Sequence, residues 1–273
     1  MKDRPLHRSA GLVVALACLA LVTPACGGGN SAPSTGSPAV TSPSLVASPS
    51  TANTSSPEPG GPTPFPELRN TETQLSEGTY VTSTFADPIL TMTLLGGWTF
   101  YDQGPTNLQV NMGTGVHLES TLSVFGFFGQ VVDPGDDHSM TETRDLISWI
   151  EQNPNLEVMG RPSSVRIGGV KAREIDFRPT GAPLCTYFPD GSRCWNLMPI
   201  IDGDPFSPAN QELGTMYVVS SDPDSPDVPM MYRLAVVDFD GSQVVFVWQE
   251  DASAFNRTVR TFEDVLASIE VGA

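Results

Sequence analysis

Apolar and polar positions follow distinct rhythms in successive parts of the chain. Residues 10–22 form an unbroken run of thirteen apolar or small side chains behind a basic start of Lys2, Arg4, His7 and Arg8. From residue 27 to residue 64 the pattern disappears, because the stretch is almost wholly Gly, Ser, Thr, Pro and Ala. Residues 65–78 read as a loose lead-in, and beyond them a period of two takes over, the signature of half-buried strands. GTYVTSTF (79–86), ILTMTLLGGWTF (89–100, interrupted at Gly96-Gly97 before Trp98), NLQVNM (107–112) and STLSVFGFFGQVV (120–132) all read as strands, the last apolar enough to lie centrally in a sheet, with DPGDDH (133–138) as a break. Ser139 and Glu142 have capping-box spacing, and Leu146, Trp149 and Ile150 follow at helical intervals until Asn153-Pro154, which predicts a first helix. SSVRIGGVKAREIDF (163–177) predicts a hairpin turning at Gly168-Gly169, and residues 185–194 a second one. TMYVVS (215–220), MMYRLAVVDF (230–239) and SQVVFVW (242–248) predict strands, the last two joined by the favoured turn pair Asp240-Gly241. Ser253 is placed to cap a closing helix whose apolar face carries Val259, Phe262, Val265, Leu266 and Ile269. The predicted fold class is α+β, an antiparallel β-sheet with packed helices, in one domain over residues 65–273.

The first apolar run is shorter than the roughly 18 to 20 residues that cross a bilayer, so residues 1–25 read as a cleaved secretory signal. Thr23, Pro24 and Ala25 lead into Cys26, and this junction resembles the lipobox of bacterial lipoproteins. The resemblance implies cleavage before Cys26 and attachment of diacylglyceryl to its sulfur, with a further acyl chain on the new amino group. Two or more chains hold a protein stably on a membrane, because each buried methylene contributes about 0.8 kcal/mol. The expected location is the outer face of the cytoplasmic membrane. Residues 26–64 then form a disordered tether, which has too few large apolar groups to offset the entropy of ordering. Its reach is roughly 35 Å as a coil and about 120 Å fully extended.

Four cysteines are present. Cys18 leaves with the signal, and a lipid on Cys26 leaves Cys185 and Cys194 to pair in an oxidising compartment. CTYFPDGSRC places Pro189-Asp190-Gly191 between them, a turn that would bring the sulfurs together. Two unpaired buried thiols are the alternative.

Three stretches, ILTMTLLGGWTFYD, SSVRIGGVKAREIDF and VRTFEDVLASIEV, occur in the order found in extracytoplasmic domains of actinobacterial-type lipoproteins. More distantly, they are similar to PsbP-like proteins. The resemblance covers roughly residues 80–273 and implies a PsbP-like α+β fold. It implies no functional residue, since the matching motifs are turn and packing signals.

Charge narrows the partners. Lys2, Arg4, Arg8 and Asp3 lie in the signal, so its removal takes the net charge from −17 to about −19. Such a surface repels nucleic acid and anionic headgroups, so adhesion to the membrane must come from the lipid. Candidate chemistry is sparse. His117 and His138 are the histidines left for base catalysis, neither stands in a catalytic motif, and structural roles are expected for both. Lys171 neighbours a tight hairpin and is expected to be exposed. The acidic groups Asp133/Asp136/Asp137, Asp202/Asp204, Asp222/Asp224/Asp227 and Asp238/Asp240 invite a calcium reading, but none matches an EF-hand loop and solvated turns are expected. Trp98, Trp149, Trp195, Trp248 and the FGFF run at 125–128 fit core packing, or less simply an apolar pocket. The sequence therefore predicts a membrane-tethered binding or accessory module, with a protein, glycan or envelope component as ligand. No catalytic residue, metal or cofactor is expected. The alternatives are a carboxylate-dependent hydrolase, recognisable by a cleft with paired acids, and a carrier of an apolar ligand, recognisable by a large dry cavity.

Overall fold

The computed structural model describes residues 61–66, 72–83, 88–113, 120–183, 193–200, 215–221 and 228–272. The expected signal peptide and Cys26, the expected lipidation site, lie outside this set. The strands begin with β1 (Thr63–Pro64), β2 (Thr73–Gln74), β3 (Gly78–Val81), β4 (Leu90–Leu94), β5 (Trp98–Gln103) and β6 (Asn107–Met112). They continue with β7 (Thr121–Gly126), β8 (Gln130–Asp133) and β9 (Asp136–Glu142), after which comes helix α1 (Leu146–Gln152). Next are β10 (Leu156–Val158), β11 (Ser163–Ile167), β12 (Val170–Pro179), β13 (Cys194–Pro199) and β14 (Thr215–Val219). The chain ends with β15 (Met230–Phe239), β16 (Ser242–Asp251), helix α2 (Phe255–Ala267) and β17 (Glu270–Val271).

A nine-stranded antiparallel sheet forms the platform, in the order β10-β12-β15-β16-β7-β6-β5-β2, with β11 also paired to β12. Strand β16 lies at its centre, and the sequence VVFVW explains why. Val244, Phe246 and Trp248 enter one apolar cluster while Val245 and Val247 enter another, so the strand is buried on both faces. A continuous apolar run is what such a position selects. The first cluster is closed by α2 and by the small sheet β1-β3-β4-β17. Trp98 meets Trp248 edge-on at 6.0 Å, and Trp248 stacks on Phe262 of α2 at the same spacing. Arg233 ties that helix down from its polar side, bridging Asp176 of β12 and Glu263 of α2. The second cluster lies under α1 and the β13-β14 ladder, where Phe177 and Tyr232 stack at 5.4 Å.

Both predicted glycine turns are present. Gly168 and Gly169 have φ of 57° and 78°, and Asp240 and Gly241 have 55° and 100°, the positive values that a two-residue hairpin needs. Several expectations are corrected. Residues 89–100 are not one strand, because the chain leaves β4 at Leu94, turns through Gly97 at φ 97°, and enters a different sheet as β5. The run 120–132 divides into β7 and β8. The capping box at Ser139 and Glu142 does not start a helix, since Met140, Thr141 and Glu142 pair with Val132, Val131 and Gln130. A tight turn precedes them, with Asp133 Oδ1 accepting from the Gly135 amide at 2.7 Å. The helix begins later, where Asp145 accepts at its N-cap from Ser148. Ser253 does not cap α2 either. The N-cap residue is Ala254, without a side-chain hydrogen bond, and burial of Phe255 fixes the first turn. The lead-in is better ordered than expected: Phe65 and Leu75 are buried, and Thr63–Pro64 pairs in parallel with β3, so folded chain begins inside the stretch assigned to the tether.

Phe262 is fully buried and its ring joins the helix to the sheet. Phe262→Ala is expected to destabilise the domain by about 3–5 kcal/mol, measured by urea unfolding. A loss below about 1 kcal/mol would show that α2 is not part of the cooperative core.

Candidate functional site

On the α1 side of the sheet, an open cleft of about 840 Å³ lies between the start of the helix and the turn end of β12. Val236 of the sheet and Leu146 and Ile147 at the start of α1 supply its apolar lining. Its rim is cationic. Arg144 enters just before the helix cap, Lys171 and Arg173 stand two residues apart on β12, and Arg161 enters from the interruption between β10 and β11. That interruption is made by Gly160 at φ 101° followed by Arg161 and Pro162, which stop the edge from pairing continuously with β12. Four of the protein's 14 lysines and arginines therefore meet in one concavity.

One of the four is neutralised. Arg173 donates to both carboxylate oxygens of Asp145, at 2.9 and 2.8 Å. Asp145 also accepts from the Ser148 amide at 3.0 Å and from its hydroxyl at 2.7 Å. Burial alone would raise the Asp145 carboxyl, but the bonds from Ser148 and the charge of Arg173 outweigh it and hold the group below its ordinary value. Arg144, Arg161 and Lys171 have no carboxylate partner among the described residues. Glu151 and Asp238 are the other acids of the rim, and Asp238 Oδ1 is occupied by the amide of Gly241 in the hairpin turn. A water-exposed cation gains little from one carboxylate, whereas several cations around a low-dielectric lining focus a field that attracts anions.

A second, smaller pocket of about 180 Å³ lies on the same face of the sheet, against β14. Its floor is formed by neighbouring strands: Tyr101 and Asp102 of β5, Asn107 and Gln109 of β6, Ser123 and Phe125 of β7, and Gln249 of β16. Thr215, Met216 and Tyr217 of β14 supply the opposing wall. The Tyr217 hydroxyl is pushed up to about 12, chiefly by burial and then by the neighbouring Tyr101, so it is a neutral donor at physiological pH.

The residues singled out from sequence fall into place unevenly. Lys171 is exposed, as expected, and forms part of the cationic rim. His138 lies in β9, and His117 lies outside the described residues. Trp98 and Trp248 are core residues, while Trp149 and Trp195 pack part-buried against the second cluster, Trp195 Nε1 donating to the Thr180 carbonyl at 3.0 Å. Phe125 and Phe127 belong to that cluster too. Cys194 is buried at the head of β13, and its expected partner Cys185 lies outside the described residues. Among the described residues, no three His, Cys, Asp or Glu side chains gather in a form that could hold a metal. Also among them, no helix is long and apolar enough to cross a membrane. Sequence reasoning missed Arg144, Arg161 and Arg173, which are spread over thirty residues and converge only through strand pairing.

No protein-family model matches the sequence, and no curated protein matches it. Among solved structures, the chain is similar to the cyanobacterial PsbP protein of Synechocystis, with 11% identity and a TM-score of 0.34, over 67% of this chain and 86% of that one. It is also similar to a protein of Bacteroides thetaiotaomicron, with 11% identity and a TM-score of 0.30, over 67% of this chain and 45% of the other. A third similar structure is LpqN of Mycobacterium tuberculosis, involved in cell envelope biogenesis, with 11% identity and a TM-score of 0.24, over 74% and 91% of the two chains.

Asp145 caps α1 and fixes Arg173, so Asp145→Ala is expected to cost about 1 kcal/mol, mostly through the lost cap. Because the folded-state carboxyl is lowered, its contribution is present above the unfolded value of about 3.9 and is lost as pH falls through the folded one. Wild type and variant should therefore differ in thermal midpoint at pH 6, and the difference should shrink as the pH falls below the ordinary carboxylate range. A difference that persists unchanged in acid would show that the cap does not act through its charge.

Proposed function

We propose that the protein is an extracytoplasmic binding module, anchored by a lipid on Cys26, that takes an anionic glycan of the cell envelope in the cleft beside α1. One observation carries the reading of the cleft. Arg144, Arg161 and Lys171 converge on one concavity without carboxylate partners among the described residues, in a chain whose net charge is −17. Neighbouring cations around one concavity repel one another, and an anion that enters relieves that repulsion. The cleft's volume of about 840 Å³ leaves room for more than one sugar unit, and the tether inferred for residues 26–64 would let the domain reach beyond the headgroups.

The hydrolase alternative is less well supported. It needs a carboxyl that can act as an acid, and Asp145 is held ionised by its partners. A carrier of apolar ligands needs a dry cavity, whereas both concavities are lined with charged or hydrogen-bonding side chains.

The test uses the exported, processed protein immobilised for interferometry, with polygalacturonate as the anionic probe and its methyl-esterified form as the uncharged control. Polygalacturonate should bind, weaken steeply between about 0.05 and about 0.5 M salt, and bind about 10-fold more weakly to an Arg161→Glu/Lys171→Glu variant. Equal binding of both polymers, or no effect of the double reversal, would remove the cleft from the account. In the same cells, a fatty-acid analogue should label the wild type and fail to label Cys26→Ala; a label on both proteins or on neither would remove the anchor.

A further inference from the structure

The smaller pocket is built by an irregularity in β5 that nothing in the cleft requires. Pairing between β5 and β6 shifts register after Phe100: Phe100 faces Val110, but Asp102 faces Gln109 and Gln103 faces Leu108. The extra residue is Tyr101. In a regular strand Asp102 would point with Phe100 toward the α2 cluster and Gln103 toward the pocket. The bulge reverses this parity. Tyr101 and Asp102 both line the pocket, while Gln103 turns away and pairs with Ser83, its Oε1 accepting from the Ser83 amide at 3.1 Å and its Nε2 donating to the Ser83 hydroxyl at 3.0 Å. Bulges of this kind re-aim side chains beside binding sites.

The re-aimed carboxylate is incompletely satisfied. Asp102 Oδ2 accepts from Asn107 Nδ2 at 3.1 Å, but Oδ1 is shielded from solvent and has no hydrogen-bond donor among the described residues. Leaving a buried acceptor unpaired costs about 1–3 kcal/mol, more for a charged group, a cost that a hydrogen bond from a water or a bound molecule would offset. Around it stand an aromatic wall, Tyr101, Phe125 and Tyr217, and side-chain amides and hydroxyls that offer donors as well as acceptors. A cation would need acceptors alone. A sugar ring uses every part of this arrangement, since its C–H face stacks on an aromatic ring and its hydroxyls donate to the carboxylate and exchange hydrogen bonds with the amides. The volume of about 180 Å³ admits one such ring.

We propose that the β5 bulge builds a binding site for a single neutral saccharide ring, with the Asp102 carboxylate accepting from a ring hydroxyl and Tyr101, Phe125 and Tyr217 supplying the stacking wall. The site is separate from the cationic cleft and does not depend on the anionic reading of it.

The experiment is saturation-transfer NMR on the exported, processed protein with four probes: the methyl glycosides of glucose, mannose, galactose and arabinose. Tetramethylammonium is run beside them as the cation probe. At least one glycoside should receive saturation, and its affinity should fall about 10-fold or more in Asp102→Ala, the loss expected for one hydrogen bond to a charged acceptor. Ser123→Tyr, which puts a ring into the pocket floor without touching Asp102, should abolish the signal while the thermal midpoint of this variant stays near that of the wild type. The proposal is overturned if no glycoside binds, if only tetramethylammonium binds, or if binding survives both substitutions. A pocket that holds only water gives the first of these results.

Discussion

The whole architecture depends on β16 being buried on both faces. A strand with one face in water could alternate apolar and polar residues and would need only one cover. Val244 to Trp248 instead present five consecutive large apolar side chains, at most 2% exposed, and each face must be closed by something else in the chain. On one side α2 and the small sheet supply the cover, on the other α1 and the β13-β14 ladder. At about 25 cal/mol per Å² of apolar surface, burying such a strand dominates any single hydrogen bond or ion pair in the molecule. It also decides where function can lie. The α2 face is sealed by aromatic stacking, whereas the short helix α1 and the two-stranded ladder leave concavities between them on the other face.

The two covers are joined to the platform by different physics. Helix α2 is held by Phe262 on Trp248 and by Arg233, whose guanidinium is held charged above all by its hydrogen bonds to Asp176, against the opposing effect of burial. Helix α1, seven residues long, is too short to be stable alone and is fixed at its start by Asp145, which joins the cap to Arg173 of the sheet. That ion pair sets the geometry of the cleft more than it stabilises the fold, since both side chains are more than 40% exposed. Inside the second cluster Tyr232 is fully buried, and burial first of all raises its hydroxyl, which exchanges hydrogen bonds with the backbone of Val219 and so locks the ladder to the sheet.

Much of this was legible in the sequence, for identifiable reasons. Gly168-Gly169 and Asp240-Gly241 announced their hairpins because positive φ is a requirement few residues meet, and SQVVFVW announced a strand, though not its place at the centre of the sheet. The helix starts were misread. Ser139 and Glu142 have the right spacing for a cap, but spacing cannot report that Met140 and Thr141 are already committed to a ladder with Val131 and Val132. The division of 89–100 between two sheets was hidden because local periodicity says nothing of which partner a strand chooses. The sites were less legible still. Lys171 and Arg173 lie on one strand and Arg144 and Arg161 in two separate connections, and the aim of Asp102 depends on a one-residue register shift with no sequence signature.

The central claim is that the α1 face of the platform is the binding face. Amide shifts of nitrogen-15-labelled processed protein, titrated with trigalacturonate, test it most directly. The account predicts perturbations at residues 144–147, 161–164 and 171–173, with those of α2 unmoved. Perturbations concentrated on α2, or none at any concentration reached, would contradict it.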